Sequence, residues 1–135
     1  MTLSIIDDDP IFQFLTKRMI DKLLADCCLT QFVDGQQAID FICSNHDDPG
    51  NLPQLIFLDI NMPNLNGWQF LDRLENSNIA NYHPLIYMAS SSSDRDDILR
   101  AEAYTQIKGY LVKPIMPQIL EDIISDFTKS ENSIR

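Results

Sequence analysis

Three aspartates and one lysine each stand directly after an apolar run of the chain. Asp7 and Asp8 follow the first such run, Asp59 follows the third and Lys113 follows the fifth. Clustered carboxylates repel one another, and Mg²⁺ relieves this repulsion because it is a hard cation that prefers oxygen ligands. Mg²⁺ and Lys113 together would balance three carboxylates, so the cluster could position and neutralise a phosphoryl group. One carboxylate could also be the covalent nucleophile.

Each of these residues has an ordinary structural explanation when it is taken alone. An aspartate after a strand often forms a turn or caps a helix, and Asp9 followed by Pro10 is a typical helix start. Lys113 by itself would be a solvated surface lysine. The functional interpretation therefore depends on whether the fold brings these residues to one place.

Strand-like and helix-like patterns alternate five times along the chain. In the first helix, Ile11, Leu15, Met19 and Leu23 recur every four residues, with further apolar residues beside them at 12, 20 and 24, which indicates an amphipathic helix. Helices are predicted to begin near residues 10, 35, 67, 94 and 117. Apolar runs predict buried strands at residues 3–6, 29–33, 55–58, 85–89 and 110–112.

This alternation predicts an α/β fold, a doubly wound five-stranded parallel sheet of the flavodoxin-like type with strand order 2-1-3-4-5. Such sheets bind ligands at the carboxyl ends of their strands. Strands one and three are neighbours in this order, so Asp7, Asp8 and Asp59 should converge. Ser90 and Lys113 should lie on the same edge, after strands four and five.

Composition limits the classes of partner. The chain has 135 residues, predicted to form one domain over residues 1–130 with a polar tail over 131–135, and its net charge is −10. This charge argues against binding to nucleic acid or to anionic membranes. Neither a signal peptide nor a membrane span is evident. Three sparse cysteines without metal-ligand spacing favour a reducing compartment, so we expect a cytoplasmic protein.

Four motifs resemble those of the receiver, or response-regulator, domain family, whose fold is called CheY-like. They are Ile-Asp-Asp-Asp-Pro at residues 6–10, Leu-Asp-Ile-Asn-Met-Pro at 58–63 with Gly67 following, Ser90, and Gly-Tyr-Leu-Val-Lys-Pro at 109–114. They occur in the family's order and at its separations, and the resemblance covers about residues 3 to 128. Together they are highly specific.

The resemblance implies a phosphoacceptor at Asp59 and a bound Mg²⁺ or Mn²⁺. The metal would be held by Asp59, by Asp8 directly, by Asp7 through water and by the backbone carbonyl of Asn61. Lys113 would contact the phosphoryl oxygens.

The resemblance also implies a switch. Ser90 would move to the phosphoryl group, and Tyr110 would change between outward and inward rotamers. Four consecutive serines leave the register open: counting from Pro84 places Ala89 at the hydroxyl position, whereas counting back from Ile98 favours Ser90. The family also carries a cis bond before the proline at 114.

The implied function is that of a stand-alone response regulator. A histidine kinase or a phosphotransfer protein would donate the phosphoryl group, and a partner would bind the face formed by helix four, strand five and helix five. The phosphoryl group could alternatively pass onward in a relay. We expect only self-phosphorylation and autodephosphorylation chemistry, and therefore no enzyme acting on a separate substrate.

Two other interpretations compete with this one. A pseudo-receiver that binds partners without phosphorylation would typically have lost an acid, the acceptor or the lysine, all of which are present. An aspartate-nucleophile phosphatase usually carries a second acid two residues after the nucleophile, where this chain has Asn61. The chain also departs from the family at Asn66, usually an aspartate, and in residues 103–108, which lack the usual glycine and could reshape helix four.

Overall fold

The computed structural model describes residues 1–133, with side chains described through residue 130. Five strands alternate with five α-helices, and a short 3₁₀ helix, Pro49–Asn51, precedes the third strand. The strands are β1 (Thr2–Ile6), β2 (Cys28–Phe32), β3 (Leu55–Leu58), β4 (Leu85–Ser90) and β5 (Ile107–Val112). The helices are α1 (Pro10–Leu23), α2 (Gly35–Ser44), α3 (Gly67–Asn76), α4 (Arg95–Glu102) and α5 (Pro117–Ser133).

The strands form one sheet in the order β2-β1-β3-β4-β5, and every pair is parallel. This confirms the predicted doubly wound sheet. β1 and β3 are neighbours, with Ile6 opposite Leu58, and these are the last residues of the two strands. The residues that follow β1 and β3 therefore leave the sheet side by side.

Helices cover both faces of the sheet. α1 and α5 pack on one face, where Phe12 and Ile20 of α1 meet Leu120 and Ile124 of α5 beneath β1 and β3. α2, α3 and Ala101 of α4 cover the other face. β3 is buried along its whole length because it lies at the centre of the sheet. Burial on both faces explains its continuous apolar sequence.

The exposed face of α1 includes apolar residues that the sequence pattern places on one amphipathic stripe. Ile11 and Leu15, two members of the every-four-residues stripe, are 69% and 48% exposed. The buried residues are Phe12, Gln13, Thr16 and Ile20. A period of four drifts around a helix that has 3.6 residues per turn, and the buried side includes two polar residues that the apolar pattern does not mark.

Several element boundaries shift from their predicted places. β5 begins at Ile107 rather than at residue 110, and β4 continues to Ser90. α4 begins at Arg95, one residue after its predicted start, because Asp94 is its N-cap, and the helix ends at Glu102. Helix α5 runs to Ser133. The predicted polar tail, 131–135, lies outside the residues whose side chains are described, so it stays a prediction.

Among the described residues, no helix is both long and apolar enough to cross a membrane.

Candidate functional site

Backbone hydrogen bonds continue the sheet beyond the strand ends and place the candidate residues beside one another. The amide of Asp59 donates to Ile6 O at 2.9 Å, which brings Asp59 alongside the first residue after β1. On the far side of the sheet, the amide of Lys113 donates to Ser90 O at 2.8 Å. The four strand ends thus meet at one edge, as the predicted topology requires.

The carboxylates of Asp7, Asp8 and Asp59 form one cluster, in which each contributes an oxygen within 4.8 Å of the others. Asp7 and Asp59 are buried, with 1% and 6% exposure, whereas Asp8 is exposed. Asp7 Oδ1 accepts a hydrogen bond from the Asp9 amide at 2.9 Å. Asp59 Oδ1 accepts one from the Ile60 amide, also at 2.9 Å. Each buried carboxylate therefore has one oxygen held by the backbone and one directed elsewhere.

Lys113 supplies the positive charge of the site. Its Nζ lies 2.6 Å from Asp7 Oδ2 and 3.7 Å from Asp59 Oδ2. The ring of Phe12 lies beneath the same nitrogen, 4.5 Å away at its centroid, where an aromatic face attracts a cation. The peptide bond between Lys113 and Pro114 is cis, which confirms that expectation.

Burial and mutual repulsion raise the pKa values of the two buried carboxylates, Asp7 and Asp59. Burial, followed by the charge of Asp7, raises the pKa of Asp59 to about 7, although Lys113 and the Ile60 amide oppose the shift. Burial also raises the pKa of Asp7, against the opposing effects of Lys113 and the Asp9 amide. One lysine is therefore insufficient to stabilise the ionised forms of both buried acids.

The residues present fit a hard divalent cation. The donor set consists of carboxylate oxygens, which Mg²⁺ and Mn²⁺ prefer. Asp7 Oδ2 is buried, and among the described residues its polar contact is the ion pair with Lys113. A second positive charge would satisfy this oxygen and favour ionisation of Asp59. Asn61, whose carbonyl is a predicted ligand, is exposed in the loop after Asp59.

The structure distinguishes Ala89 from Ser90. Ala89 is packed in the core between the sheet and helices α1 and α5. Ser90 is the last residue of β4, is 1% exposed, and lies at the carboxyl edge next to Lys113. This placement favours Ser90 for the hydroxyl position, while its role there remains a prediction.

Tyr110 is connected to Ser90 through the loop that follows β4. Its hydroxyl donates to Ser92 O at 2.8 Å, and the Ser92 amide donates to Ser90 Oγ at 3.1 Å. The ring of Tyr110 is half-buried against the core that α2, α3 and α4 share. Both hydroxyl groups therefore bind the same residue, Ser92.

Sequence reasoning did not identify Gln13, a buried amide that supports the site. Gln13 Nε2 lies 3.1 Å from Ile5 O, 3.0 Å from Asp7 O and 3.0 Å from Phe32 O, and Gln31 Nε2 donates to Gln13 Oε1 at 2.8 Å. The side chain thus joins α1 to the ends of β1 and β2. A polar residue one turn after the helix start, next to Phe12, was the available signal.

Aromatic and cation–π contacts fix α4 against α3. Trp68 stacks on Tyr104, with centroids 5.5 Å apart, and Arg100 lies 4.5 Å above the Trp68 ring. Tyr104 belongs to residues 103–108, the segment that lacks the family's usual glycine. Gly67, next to Trp68, packs directly on the acceptor: a Cβ at this position would lie 2.3 Å from Asp59 O.

Comparison with known proteins agrees with this geometry. The family model described as response regulator receiver domain matches residues 3–125. The chain belongs to this family. Over 136 residues, this receiver domain is 29% identical to the chemotaxis protein CheY of Pseudomonas aeruginosa, an alignment that covers 98% of the chain and 99% of CheY.

Two further relatives differ in length from one another. The receiver domain is 29% identical to the nitrate/nitrite response regulator NarL of Escherichia coli, covering 88% of the chain and 50% of NarL. A crystal structure of a two-component response regulator from Cytophaga hutchinsonii matches with 27% identity and a TM-score of 0.79, covering 95% of this chain and 96% of that one. The domain therefore resembles both single-domain regulators and one part of a longer regulator.

Proposed function

We propose that this receiver domain accepts a phosphoryl group on Asp59 from a histidine kinase or a phosphotransfer protein and signals by binding a partner protein. The observation that carries the proposal is the position of Asp59: a buried carboxylate beside two further carboxylates and within 3.7 Å of a lysine ammonium. A buried acid cluster of this kind destabilises the fold, because each ionised group loses hydration, and such clusters are typical of functional sites.

Asp59 Oδ2 is the candidate nucleophile, because Oδ1 is occupied by the Ile60 amide. In the transfer, Oδ2 forms a bond to phosphorus while the bond from phosphorus to the donor's histidine nitrogen breaks, and that nitrogen keeps the electron pair. Lys113 is close enough to donate to an oxygen of the transferred group. Preorganised charge of this kind is the main protein contribution to phosphoryl transfer.

Mg²⁺ or Mn²⁺ would be held by Asp8, Asp59 and the Asn61 carbonyl, with Asp7 acting through water, and would supply charge neutralisation. The chain's own contribution is to hold these oxygens together at the ends of β1 and β3. A cation here would repel Lys113 and offset the attraction between Lys113 and Asp7. The lysine would then be free to contact the phosphoryl group.

The bonds around Ser92 support a switch at the β4–α4 loop. If Ser90 Oγ moves to donate to a phosphoryl oxygen, the bond that it accepts from the Ser92 amide changes, and Ser92 O is also the acceptor of the Tyr110 hydroxyl. A change at Ser90 would therefore be felt at Tyr110 and at the start of α4. We propose that the partner binds the face formed by α4, β5 and α5.

Exposed apolar residues near the acceptor edge support a protein donor. Ile11, the second residue of α1, is 69% exposed, and Met116, two residues after the cis proline, is 58% exposed. Ile11 lies in the helix that follows Asp7, and Met116 lies in the loop that contains Lys113. A protein that presents a phosphohistidine to Asp59 could bury both side chains.

We further propose a cytoplasmic location and chemistry limited to the domain's own phosphorylation and dephosphorylation. The cysteines Cys27, Cys28 and Cys43 are free, which is compatible with a reducing compartment. The alternative, a phosphorylation-independent interaction module, is less well supported because the acids and the lysine are held together in one cluster.

The test is intact mass after incubation with acetyl phosphate, with Mg²⁺, with excess chelator, and on Asp59→Asn. One added phosphoryl group in wild type with Mg²⁺, lost in the other two samples, is expected. If wild type gains no mass and also fails to bind beryllofluoride, the proposal is rejected in favour of the phosphorylation-independent module.

A further inference from the structure

The loop between β3 and α3 touches the chain at a second place, far from the acceptor in sequence. Asn64 Nδ2 donates to Asp34 Oδ2 at 2.9 Å, and the Gly35 amide donates to Leu65 O at 3.2 Å. Asp34 and Gly35 form the turn from β2 into α2. The sequence pattern marked this turn only as a helix start, and the phosphoacceptor chemistry described above does not use it.

Asp34 has two separate functions in this contact. Its Oδ1 accepts from the Gln37 amide at 2.8 Å and caps α2, while Oδ2 receives the amide of Asn64. The carboxylate is buried, with 5% exposure. A cap needs one oxygen, so the second oxygen is available to hold the loop.

The fit between loop and turn is close. A Cβ at Gly35 would lie 2.7 Å from Leu65 O, a distance that real Cβ atoms do not reach, so a larger residue would push the loop outward. Asn64 lies in the left-handed region, with φ 66, inside a tight turn in which the Leu65 amide donates to Pro63 O at 2.7 Å. Such a backbone is unfavourable for a residue with a side chain, and the bond to Asp34 offsets this cost.

The other end of the loop is tied to the acceptor strand. The Gly67 amide donates to Ile60 O at 2.8 Å and closes the loop at its base. Asn61 lies between the closed base and the part of the loop anchored on Asp34. The backbone position of Asn61 is thus determined by two attachments, one to the acceptor strand and one to the β2–α2 turn.

We propose that Asp34 is a positioning residue that, through Asn64, holds the β3–α3 loop so that the Asn61 carbonyl faces the metal site. The inference rests on the proposed function, since it assigns a use to the Asn61 carbonyl. It predicts that the Asp34–Asn64 bond supports metal affinity rather than only folding.

The test is direct metal binding, with the free Mn²⁺ signal in electron paramagnetic resonance followed as protein is added, and with Mg²⁺ as competitor. Asn64→Gly removes the hydrogen bond while glycine tolerates the left-handed backbone. Asp34→Ser keeps a side-chain cap for α2 but is too short to reach Asn64. Asn81→Gly is the matched control, because Asn81 also has a positive φ, 61, and lies in the loop between α3 and β4.

The expected result is that Mn²⁺ binding weakens about tenfold in Asn64→Gly and in Asp34→Ser, the lower end of the effects seen when a residue that orients a ligand is removed. The double variant should be no weaker than either single one, because both changes break the same contact. Asn81→Gly should bind within about twofold of wild type. The melting temperature of each variant is measured as well, so that a loss of metal affinity can be distinguished from a loss of stability.

Unchanged Mn²⁺ affinity in Asn64→Gly and Asp34→Ser, with or without a lower melting temperature, overturns the inference and leaves Asp34 as a helix cap alone. This outcome would leave the proposed function intact as long as wild type binds Mn²⁺ and is phosphorylated. If wild type binds no Mn²⁺, both the proposed function and the inference fail.

Discussion

Lys113 is the ion-pair partner of Asp7, with its ammonium nitrogen 2.6 Å from Asp7 Oδ2. The same nitrogen is 3.7 Å from Asp59 Oδ2, so the lysine needs only a small shift to serve the acceptor. Its side chain is only 12% exposed, so the ammonium group has little access to solvent. The lysine thus stabilises one buried acid while remaining within reach of the other.

Removal of the Lys113 charge should separate metal binding from phosphorylation. In Lys113→Gln, phosphorylation by acetyl phosphate at saturating Mg²⁺ should slow by about 100-fold, the usual cost of losing one group that stabilises developing charge. Mn²⁺ binding should be unchanged or tighter, because a neighbouring positive charge has been removed. Lys108→Gln, on the exposed side of β5, is the control and should leave both quantities unchanged.

The opposite pattern would contradict this assignment. If Lys113→Gln lost metal affinity but kept its rate of phosphorylation once saturated with Mg²⁺, Lys113 would act on the fold of the site and not on the phosphoryl group.

Stability in chelator should fall as pH rises through the titration of Asp59. Below about pH 4 the carboxyl is protonated in both folded and unfolded chains. Between its ordinary value of 3.8 and its folded pKa of about 7, the folded chain binds more protons than the unfolded one. The free energy of unfolding therefore decreases with rising pH across this window and levels off above it.

Asp59→Asn tests this dependence, because the amide does not titrate. At pH 8 in chelator the variant should be more stable than wild type by on the order of 2 kcal/mol, less than the full shift implies, because Lys113 can move toward the ionised carboxylate. Urea unfolding at a series of pH values measures the difference. Saturating Mg²⁺ should reduce this difference in stability. If the stability of wild type in chelator did not change between pH 5 and pH 8 (roughly the window of the shift), the assignment of the pH dependence to Asp59 would be wrong.

The order of the strands and the main site residues could be predicted because they depend on local rules. Each buried strand is a continuous apolar run, and each run ends at the residue that the sheet then places at its carboxyl edge. Asp59 and Lys113 could be placed in this way from sequence alone. The hydrogen bond from the Asp59 amide to Ile6 O shows why, since the ladder extends one residue past the strand.

Contacts between distant segments could not be predicted in the same way. Gln13 and Thr16 are polar yet buried on α1, so the apolar stripe did not indicate which side of the helix faces the sheet. The bond between Asp34 and Asn64 joins residues that are 30 positions apart. Gln13 and Asp34 are buried because specific partners satisfy their side chains, and those partners are not visible in a periodic pattern.

Gln13 should contribute to stability through the carbonyl groups that it satisfies. Gln13→Met keeps the length of the side chain but removes the amide that donates to Asp7 O and accepts from Gln31 Nε2. The free energy of unfolding should fall by about 1–3 kcal/mol, the cost of leaving buried polar groups unpaired. Gln118→Met, which removes an exposed hydrogen bond on α5, should cost much less when both are measured by urea unfolding.

Tyr110→Phe should loosen the β4–α4 loop without altering the acceptor chemistry. The change removes only the hydroxyl that donates to Ser92 O, while the ring keeps its packing against the core. Hydrogen exchange of the amides in residues 91–94 should become faster, and phosphorylation by acetyl phosphate should stay within about twofold of wild type, as expected for a change remote from the reacting atoms.

In wild type, beryllofluoride should alter hydrogen exchange in the same residues, 91–94, and Ser90→Ala should abolish that response. If beryllofluoride still altered the loop in Ser90→Ala, the signal would have to leave Asp59 by another route, and the contact of Gly67 with Asp59 O, next to the Trp68–Tyr104 stack, would be the first to examine.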